Sequence, residues 1–278
     1  MTDRNRGTDP AGTAPPYPPA EGTSSAEGQV DRIVRERFFP EEGRKGIFVD
    51  VGAARPDYLS ISALYRSLGW RVLAVEPNPE FVRIYRERGH EIFPYACGNR
   101  DEDEVEFVVV DSHGAGYRGG HVTYESFSSL GIRGPFASLG GALDRRTIRV
   151  PLRRLDTILR EHAPDVERID ILSVDVEGWE LEVLEGLDLE RYRPGVLILE
   201  NYFSEHRYRA YLRRRGYLLW RRIAPNDLYV PADRIPGRLR KMLYRCRELF
   251  VSAGRYEPVG LLRRRIGALR ERRHGERR

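Results

Sequence analysis

Short apolar runs alternate with amphipathic stretches along most of this chain. Runs of this kind, bounded by glycine, proline or acidic residues, are typical of parallel strands that are buried on both faces. They predict strands at 46–51, 71–76, 91–97, 105–110, 147–152, 169–175, 196–200, 217–223 and 227–230. The stretches between them predict helices at 30–39, 58–68, 79–88, 155–162, 179–187 and 206–215. This alternation predicts an α/β fold with a doubly wound, mostly parallel sheet and a closing antiparallel strand pair.

Three segments depart from the alternation. Residues 1–29 are rich in proline, glycine and serine with few apolar side chains, so we expect a disordered N-terminal tail. Residues 30–232 are predicted to form one domain. Within it, 111–146 is rich in glycine and serine without periodicity, and we interpret it as a substrate-covering insertion. Residues 233–278 predict a basic helical tail.

The net charge of +5 belongs to that tail, because 233–278 holds fifteen basic and five acidic residues. The rest of the chain is slightly acidic. We interpret the tail as a solvated appendage or a homodimer contact. An RNA-contacting arm or a helix on a membrane surface is the alternative, although no RNA-binding motif is recognised.

The composition of the chain indicates the cellular location to expect. A 32% share of charged and 40% of hydrophobic residues is typical of soluble proteins, and no stretch is apolar enough to span a bilayer. The N-terminus has no apolar core of a secretory signal. Cys97 and Cys246 form no metal or redox pattern, so a cytoplasmic location is expected.

The first motif with chemical content is Gly46-Ile47-Phe48-Val49-Asp50-Val51-Gly52-Ala53. Asp50 stands at the carboxyl end of a buried strand, where open α/β sheets bind ligands. Gly52 lets the backbone turn sharply and approach a ligand closely. Glu76, at the end of the next strand, is placed to accept hydrogen bonds from both hydroxyls of a ribose. The two acids therefore suggest a nucleoside-containing cofactor.

The turn after this strand discriminates between such cofactors. NAD requires a glycine-rich turn for its pyrophosphate, and Gly52 is followed by Ala53-Ala54-Arg55-Pro56 instead. S-adenosylmethionine has a ribose but no phosphate, which favours a methyltransferase. An ordinary α/β protein with acidic strand ends remains the simpler alternative.

A second acidic cluster is Asp175-Val176-Glu177-Gly178-Trp179-Glu180, at a predicted strand-to-helix turn. Capping of the helix by acids near its N-terminus would explain part of it. Asp175 and Glu177, however, fall where a substrate would meet the cofactor.

These motifs together resemble the FkbM-type methyltransferases. The similar segments are Asp50–Ala53, Val75–Pro79, Ser128–Leu130, Val150–Asp156, Asp175–Leu184 and Leu197–Glu200. The resemblance implies a class I Rossmann-like fold, S-adenosylmethionine as cofactor and a hydroxyl acceptor. Members of the family commonly carry an Asn and a second Gly after the first, where this chain has Ala54-Arg55-Pro56. Arg55 is a hypothetical contact for the carboxylate of the cofactor.

The resemblance also implies residue roles. The positions that match cofactor contacts are Asp50, Gly52, Ala53, Glu76, Cys97, Gly98 and Asn99. The first three would line the methionine portion, Glu76 the ribose, and the last three the adenine. Asp175 and Glu177 would face the transferring methyl group, with Asp175 as the preferred base and His206 as the second choice. His113 and His121 are weaker candidates, and Ser128, Ser129 and Glu200 are candidate substrate contacts.

The leading prediction is an S-adenosylmethionine-dependent O-methyltransferase acting on a sugar or another secondary metabolite. One alternative is an RNA methyltransferase that uses the basic tail. Another is a non-catalytic binding protein that has lost cofactor affinity through Arg55-Pro56. Asp175, Glu177 and Glu200 could assemble a Mg²⁺ site, because hard cations take carboxylate oxygens, but nothing in their spacing demands one and no metal is predicted.

Overall fold

The computed structural model describes residues 26–111, 116–117, 122–123, 128–131, 144–235 and 237. Most of the predicted N-terminal tail, most of the insertion with His113 and His121, and nearly all of the basic tail lie outside the described residues. What the sequence predicts of them stays a prediction. In the described part of the chain, no helix combines the length and apolar character needed to cross a membrane.

The structure contains six α-helices among the described residues, with single 3₁₀ turns at Glu27–Gln29 and Ala232–Arg234. The helices are α1 Val30–Phe38, α2 Ala63–Ser67, α3 Pro79–Glu87, α4 Leu155–His162, α5 Glu180–Glu185 and α6 His206–Arg214. The strands are β1 Ile47–Val51, β2 Arg71–Val75, β3 Ile92–Phe93, β4 Ala96–Gly98, β5 Glu102–Asp111, β6 Gly116–Tyr117, β7 Val122–Thr123, β8 Asp144–Arg154, β9 Ile171–Val174, β10 Val196–Glu200, β11 Tyr217–Ile223 and β12 Asn226–Pro231.

The main sheet has seven strands in the order β11-β12-β10-β9-β1-β2-β3. Strands β10, β9, β1, β2 and β3 are parallel to one another, whereas β12 pairs antiparallel with both of its neighbours, β10 and β11. Both faces are covered, since Phe48 packs with residues of α1 and α2 while Val49 and Val51 pack with residues of α4, α5 and α6. The predicted doubly wound, mostly parallel sheet with a closing antiparallel strand pair is confirmed.

The register of the parallel strands places the site. Val51 is level with Val75 of β2 and with Val174 of β9, and Val174 is level with Leu199 of β10. The next residue of each strand therefore falls in one row along the carboxyl edge of the sheet. That row consists of Gly52, Glu76, Asp175 and Glu200.

The prediction of a single strand at 91–97 is wrong, because this segment forms two short strands that belong to different sheets. Ile92 and Phe93 pair with β2, whereas Ala96 to Gly98 pair with β8 in a second sheet of order β4-β8-β5. Pro94 cannot donate a hydrogen bond to continue the first ladder. The nitrogen of Tyr95 donates to the Phe93 oxygen at 2.9 Å and so turns the chain toward the second sheet.

The helix predicted to begin at residue 58 begins at Ala63 instead. Leu59 has φ of 53°, outside the helical region, and an Arg66 guanidinium nitrogen donates to the Pro56 oxygen at 2.9 Å and to Ser60 Oγ at 3.1 Å. These bonds hold residues 56–62 as a loop over the carboxyl edge of the sheet. The strands predicted at 105–110 and 147–152 are longer than expected, since β5 spans 102–111 and β8 spans 144–154.

Candidate active site

Two adjoining cavities open at the carboxyl ends of the central strands. The first, called here the acidic cavity, has walls that include Asp50, Arg55, Asp175, Glu177, Glu200 and Asn226. The second, called the apolar cavity, has walls that include Glu76, Ala96, Cys97, Phe107, Ser129 and Trp179. Gly52, Ala54, Phe81 and Asp175 line both. The two cavities are therefore neighbouring parts of one site.

Gly52 fixes the loop after β1 against the loop after β9. Its φ is +76°, and a Cβ atom added there would lie 1.7 Å from the carbonyl oxygen of Asp175. From the sequence, Gly52 was expected to allow close approach to a ligand. The structure shows that the group nearest to it is the backbone of the loop after β9. Only glycine lets the two loops meet this closely.

Glu76 is buried directly after β2, at the position that the sequence predicted for it. Its Oε2 accepts a hydrogen bond from the Ala54 nitrogen at 3.0 Å and its Oε1 from the Asn78 nitrogen at 2.8 Å. Burial raises the pKa of Glu76 to about 7, and the charge of Asp50 adds to this. A carboxylate accepts about four hydrogen bonds, so lone pairs remain for the two hydroxyls of a ribose.

The turn after β9 is organised by Glu180, whose side chain is buried at the start of α5. Glu180 Oε1 accepts hydrogen bonds from the nitrogens of Val176 at 3.2 Å and Gly178 at 3.0 Å. Its Oε2 accepts from the hydroxyl of Tyr208 on α6 at 2.5 Å. Both nitrogens precede α5, so Glu180 stabilises the turn before the helix and does not cap the helix itself.

Glu177 occupies the middle of that turn with a φ of 56°, a conformation that costs a non-glycine residue of order 1 kcal/mol. The turn directs its side chain to the acidic cavity, where it is only 6% exposed. Glu177 Oε2 finds no hydrogen-bond partner within the part of the chain that the structure describes. Sequence reasoning gave Glu177 a place in the site but missed Glu180 and Tyr208 as the groups that hold it there.

Asp175, Glu177 and Glu200 converge, with one carboxylate oxygen of each within 4.8 Å of the others. Asp175 is the exposed member of the cluster, whereas Glu177 is buried and Glu200 is half-buried. Burial, followed by the charge of Glu180, raises the pKa of Asp175 to about 7. Burial and the charge of Asp175 likewise raise the pKa values of Glu177 and Glu200 well above their usual range. The cluster consequently favours bound protons or a bound cation.

Asp50 and Arg55 complete the wall of the acidic cavity. Burial raises the pKa of Asp50, and hydrogen bonds with Ser62 and Ser173 oppose that effect. Arg55 Nε lies 3.5 Å from a carboxylate oxygen of Asp57. The hypothesis that Arg55 contacts a cofactor carboxylate is compatible with its place in the wall, and it stays a prediction.

The serines of segment 128–131 differ in their environments. Ser128 Oγ accepts a hydrogen bond from the Val110 nitrogen at 3.1 Å. Ser129 is 2% exposed, and its Oγ, in the wall of the apolar cavity, has no hydrogen-bond partner among the described residues. Trp179 Nε1 donates to the Gly131 oxygen at 3.1 Å and so ties this segment to the turn after β9.

Three predicted site residues do not line the two cavities as the described residues form them: Gly98, Asn99 and His206. Gly98 packs against Gly186, where an added Cβ would lie 2.0 Å from the Gly98 oxygen. The Asn99 amide donates to Glu185 at 3.0 Å on the surface, and His206 is exposed in the first turn of α6. Cys97 does line the apolar cavity, and Ala53 the acidic one.

Comparison with known proteins is consistent with this arrangement. The family model of the methyltransferase FkbM domain matches residues 50–219, which include every acid of the two cavities except Glu27. Methyltransferase sdnD of Sordaria araneosa is 51% identical over 59 residues, which is 19% of this chain and 22% of that protein. The solved structure of methyltransferase FkbM from Methylobacillus flagellatus KT is 18% identical with a TM-score of 0.38, over 67% of this chain and 43% of that one. The chain thus spans less than half the length of either relative.

Proposed function

The chain belongs to the FkbM methyltransferase family, and on this basis we propose that it transfers a methyl group from S-adenosylmethionine to a hydroxyl of a small molecule, a sugar or another secondary metabolite. The observation that carries the proposal is the pair of cavities joined at Gly52 and Asp175. One suits an adenosine and the other a hydroxyl acceptor, and the reacting atoms would meet where the two cavities adjoin, beside Gly52 and Asp175.

The apolar cavity fits the nucleoside part of the cofactor. Glu76 offers lone pairs to the ribose hydroxyls, and Ser129 Oγ is a buried hydroxyl that needs a partner which a ligand can supply. The side chains of Cys97 and Phe107 give the cavity its apolar walls. Asp50 and Asp175 would place negative charge near a cationic sulfonium. S-adenosylmethionine, when bound, supplies the electrophilic methyl group.

The acidic cavity would orient the acceptor and take up its proton. The acceptor oxygen would form the new C–O bond as the C–S bond of the cofactor breaks, and the electron pair of the broken bond would stay on sulfur. Asp175 is the proposed proton acceptor, because it lines both cavities and its pKa of about 7 suits a base near neutral pH. Alignment of the two reactants by the cavity walls would supply much of the rate.

The charge of this cavity favours a neutral acceptor over a nucleic acid. Asp50, Asp175, Glu177 and Glu200 line it together, and carboxylates repel the phosphates of an RNA chain. The RNA alternative depends on the basic tail, nearly all of which lies outside the described residues. That alternative stays a prediction, to be tested by salt-dependent RNA binding that truncation at about residue 235 abolishes.

Calorimetric titration with S-adenosylmethionine and S-adenosylhomocysteine tests the proposal. We expect micromolar binding that Glu76→Ala weakens at least tenfold, about 1.4 kcal/mol. Glu87→Ala, which removes an exposed carboxylate of α3, is the matched control and should bind like the parent. A folded parent protein that binds neither compound would contradict the proposed function.

A further inference from the structure

The carboxylates of the acidic cavity come from two neighbouring strand ends. Asp175 and Glu177 follow β9, and Glu200 ends β10, which pairs with β9 in parallel. One oxygen from each of the three lies within 4.8 Å of the others, and all three line the acidic cavity. We propose that Asp175, Glu177 and Glu200 bind a hard divalent cation of the Mg²⁺ type.

Glu177 provides the independent observation that points to a ligand. It is more than nine-tenths buried, and no hydrogen-bond donor reaches its Oε2 among the residues that the structure describes. Glu180, three residues later and equally buried, has donors on both of its oxygens. A buried carboxylate without a partner is costly, whereas a carboxylate that coordinates a cation is not. The contrast indicates that Glu180 serves the fold and Glu177 serves a ligand.

The surroundings of the cluster add negative charge. Asp50 approaches from β1, Glu180 from α5 and Glu27 from the N-terminal 3₁₀ turn, and each contributes repulsion at Asp175. Arg55 lies in the same wall but pairs with Asp57. The field at the cluster therefore favours a cation over a neutral ligand.

The separation of the oxygens suits such an ion. Ca²⁺ binds oxygens at about 2.3–2.6 Å, so ligands on opposite sides of it are up to roughly 5 Å apart. Mg²⁺ binds at about 2.0–2.1 Å, which requires opposite ligands about 4 Å apart and hence a small contraction of the cluster. With one oxygen from each residue engaged, coordination positions remain for water and for an acceptor.

On the proposed function, the cation would also act on the acceptor. A hydroxyl oxygen bound to a divalent cation loses its proton more readily. Coordination would make Asp175 a weaker base than it is without the cation, but the cation would also lower the pKa of the bound hydroxyl, so the second oxygen of Asp175 could still receive the proton. This role depends on methyl transfer, but binding of the cation does not.

The test measures binding to the full chain without any methyl donor. Titration with Mn²⁺, followed by loss of the free-ion signal in electron paramagnetic resonance, should show a site that Mg²⁺ displaces. Glu177→Gln and Glu200→Gln should each weaken it at least tenfold, and Glu87→Gln on α3 should not change it. Circular dichroism would verify that each variant is folded. A folded parent without a Mn²⁺ site, or a site that both glutamine variants retain, would overturn the proposal.

A second readout separates this proposal from the proposed function. Mg²⁺ should raise the melting temperature of the parent and of Glu76→Ala but not that of Glu177→Gln. If Mn²⁺ binds as expected while S-adenosylmethionine does not, the cation site stands and the methyltransferase proposal fails. If S-adenosylmethionine binds and neither Mn²⁺ nor Mg²⁺ has any effect, the cation site fails alone.

Discussion

The hydrogen bond between Tyr208 and Glu180 is predicted to stabilise the turn that carries Glu177. The Tyr208 hydroxyl lies 2.5 Å from Glu180 Oε2, and both side chains are at most 2% exposed. Tyr208→Phe deletes the hydroxyl and keeps the ring, so a buried carboxylate oxygen loses this donor and Arg207 loses a long contact at 3.4 Å. A hydrogen bond to a charged group contributes about 1.5–3 kcal/mol, so we expect the free energy of unfolding to fall by about 2 kcal/mol.

Substitution of Glu180, alone and together with Tyr208→Phe, completes a double-mutant cycle that measures the energy of this hydrogen bond. Glu180→Ala removes the acceptor of the Tyr208 hydroxyl, to which Arg207 still donates at 3.4 Å, and the acceptor of the nitrogens of Val176 and Gly178. At about 1–3 kcal/mol for each buried unsatisfied group, we expect a loss of several kcal/mol. Glu180→Gln keeps one carbonyl oxygen for the two nitrogens and should cost less. In the Glu180→Gln background, Tyr208→Phe should cost at least 1 kcal/mol less than in the parent.

Urea unfolding followed by circular dichroism gives these free energies. Tyr211→Phe is the matched control, because Tyr211 lies on the same helix and donates to the neutral Leu184 oxygen at 3.0 Å. That change should cost about 1 kcal/mol and should add independently to Glu180→Gln. The reasoning is refuted if Tyr208→Phe and Tyr211→Phe have equal effects, or if the Tyr208 and Glu180 changes are additive within 0.3 kcal/mol, about the error expected for independent sites.

Three further predictions concern the cavities. In urea unfolding, Gly52→Ala should destabilise the protein by several kcal/mol, because the added Cβ would overlap a backbone oxygen. Gly89→Ala is the control: Gly89 also has a positive φ, +66°, but open space around it, so this change should cost only about 1 kcal/mol. Calorimetry should show that the dissociation constant for S-adenosylmethionine rises as the pH falls from about 7 to 5, by at most tenfold for each pH unit. The reason is that protonation of Glu76, whose pKa is raised to about 7, removes the ionised acceptor for the ribose, and Glu76→Gln should abolish this trend. Ser129→Ala should weaken binding of S-adenosylmethionine severalfold with little change in stability, whereas Ser128→Ala should lower stability, since only Ser128 Oγ accepts a backbone hydrogen bond here.

Each of these predictions has an outcome that contradicts it. Equal losses of stability at Gly52 and Gly89 would mean that the contact between the two loops is not restrictive. A pH trend that Glu76→Gln retains would assign the titration to another group. Unchanged affinity in Ser129→Ala would show that its hydroxyl does not contact the nucleoside.

The central strands could be predicted from the sequence because their apolar runs are unbroken and end in acids. The same pattern placed Asp50 and Glu76 at the strand ends where the structure has them. The split between β3 and β4 was also signalled, since Pro94 interrupts the predicted strand. The loop at 56–62 was not, because its fold depends on Arg66 reaching back to the Pro56 oxygen, and residue periodicity does not report such a bond.

Long-range contacts explain the rest of what sequence reasoning missed. The contact of Gly52 with the Asp175 oxygen and the bond of Tyr208 to Glu180 join residues that are far apart in the chain. From the neighbouring sequence alone, either Gly52 or Glu180 could have been interpreted as a residue that contacts a ligand. The register of β1, β2, β9 and β10 shows which carboxylates meet, and the hydrogen bonds to Glu180 show that this carboxylate is already satisfied.

Gly52 and Asp175 line both cavities, and this shared lining has a thermodynamic consequence. A positively charged occupant of either cavity changes the electrostatic potential at a carboxylate that the other occupant also feels. The two binding equilibria are then linked, and linkage is reciprocal. Whatever factor one compound imposes on the dissociation constant of the second, the second must impose the same factor on the first. Order of addition in a titration would change the path but never the total free energy of the ternary complex.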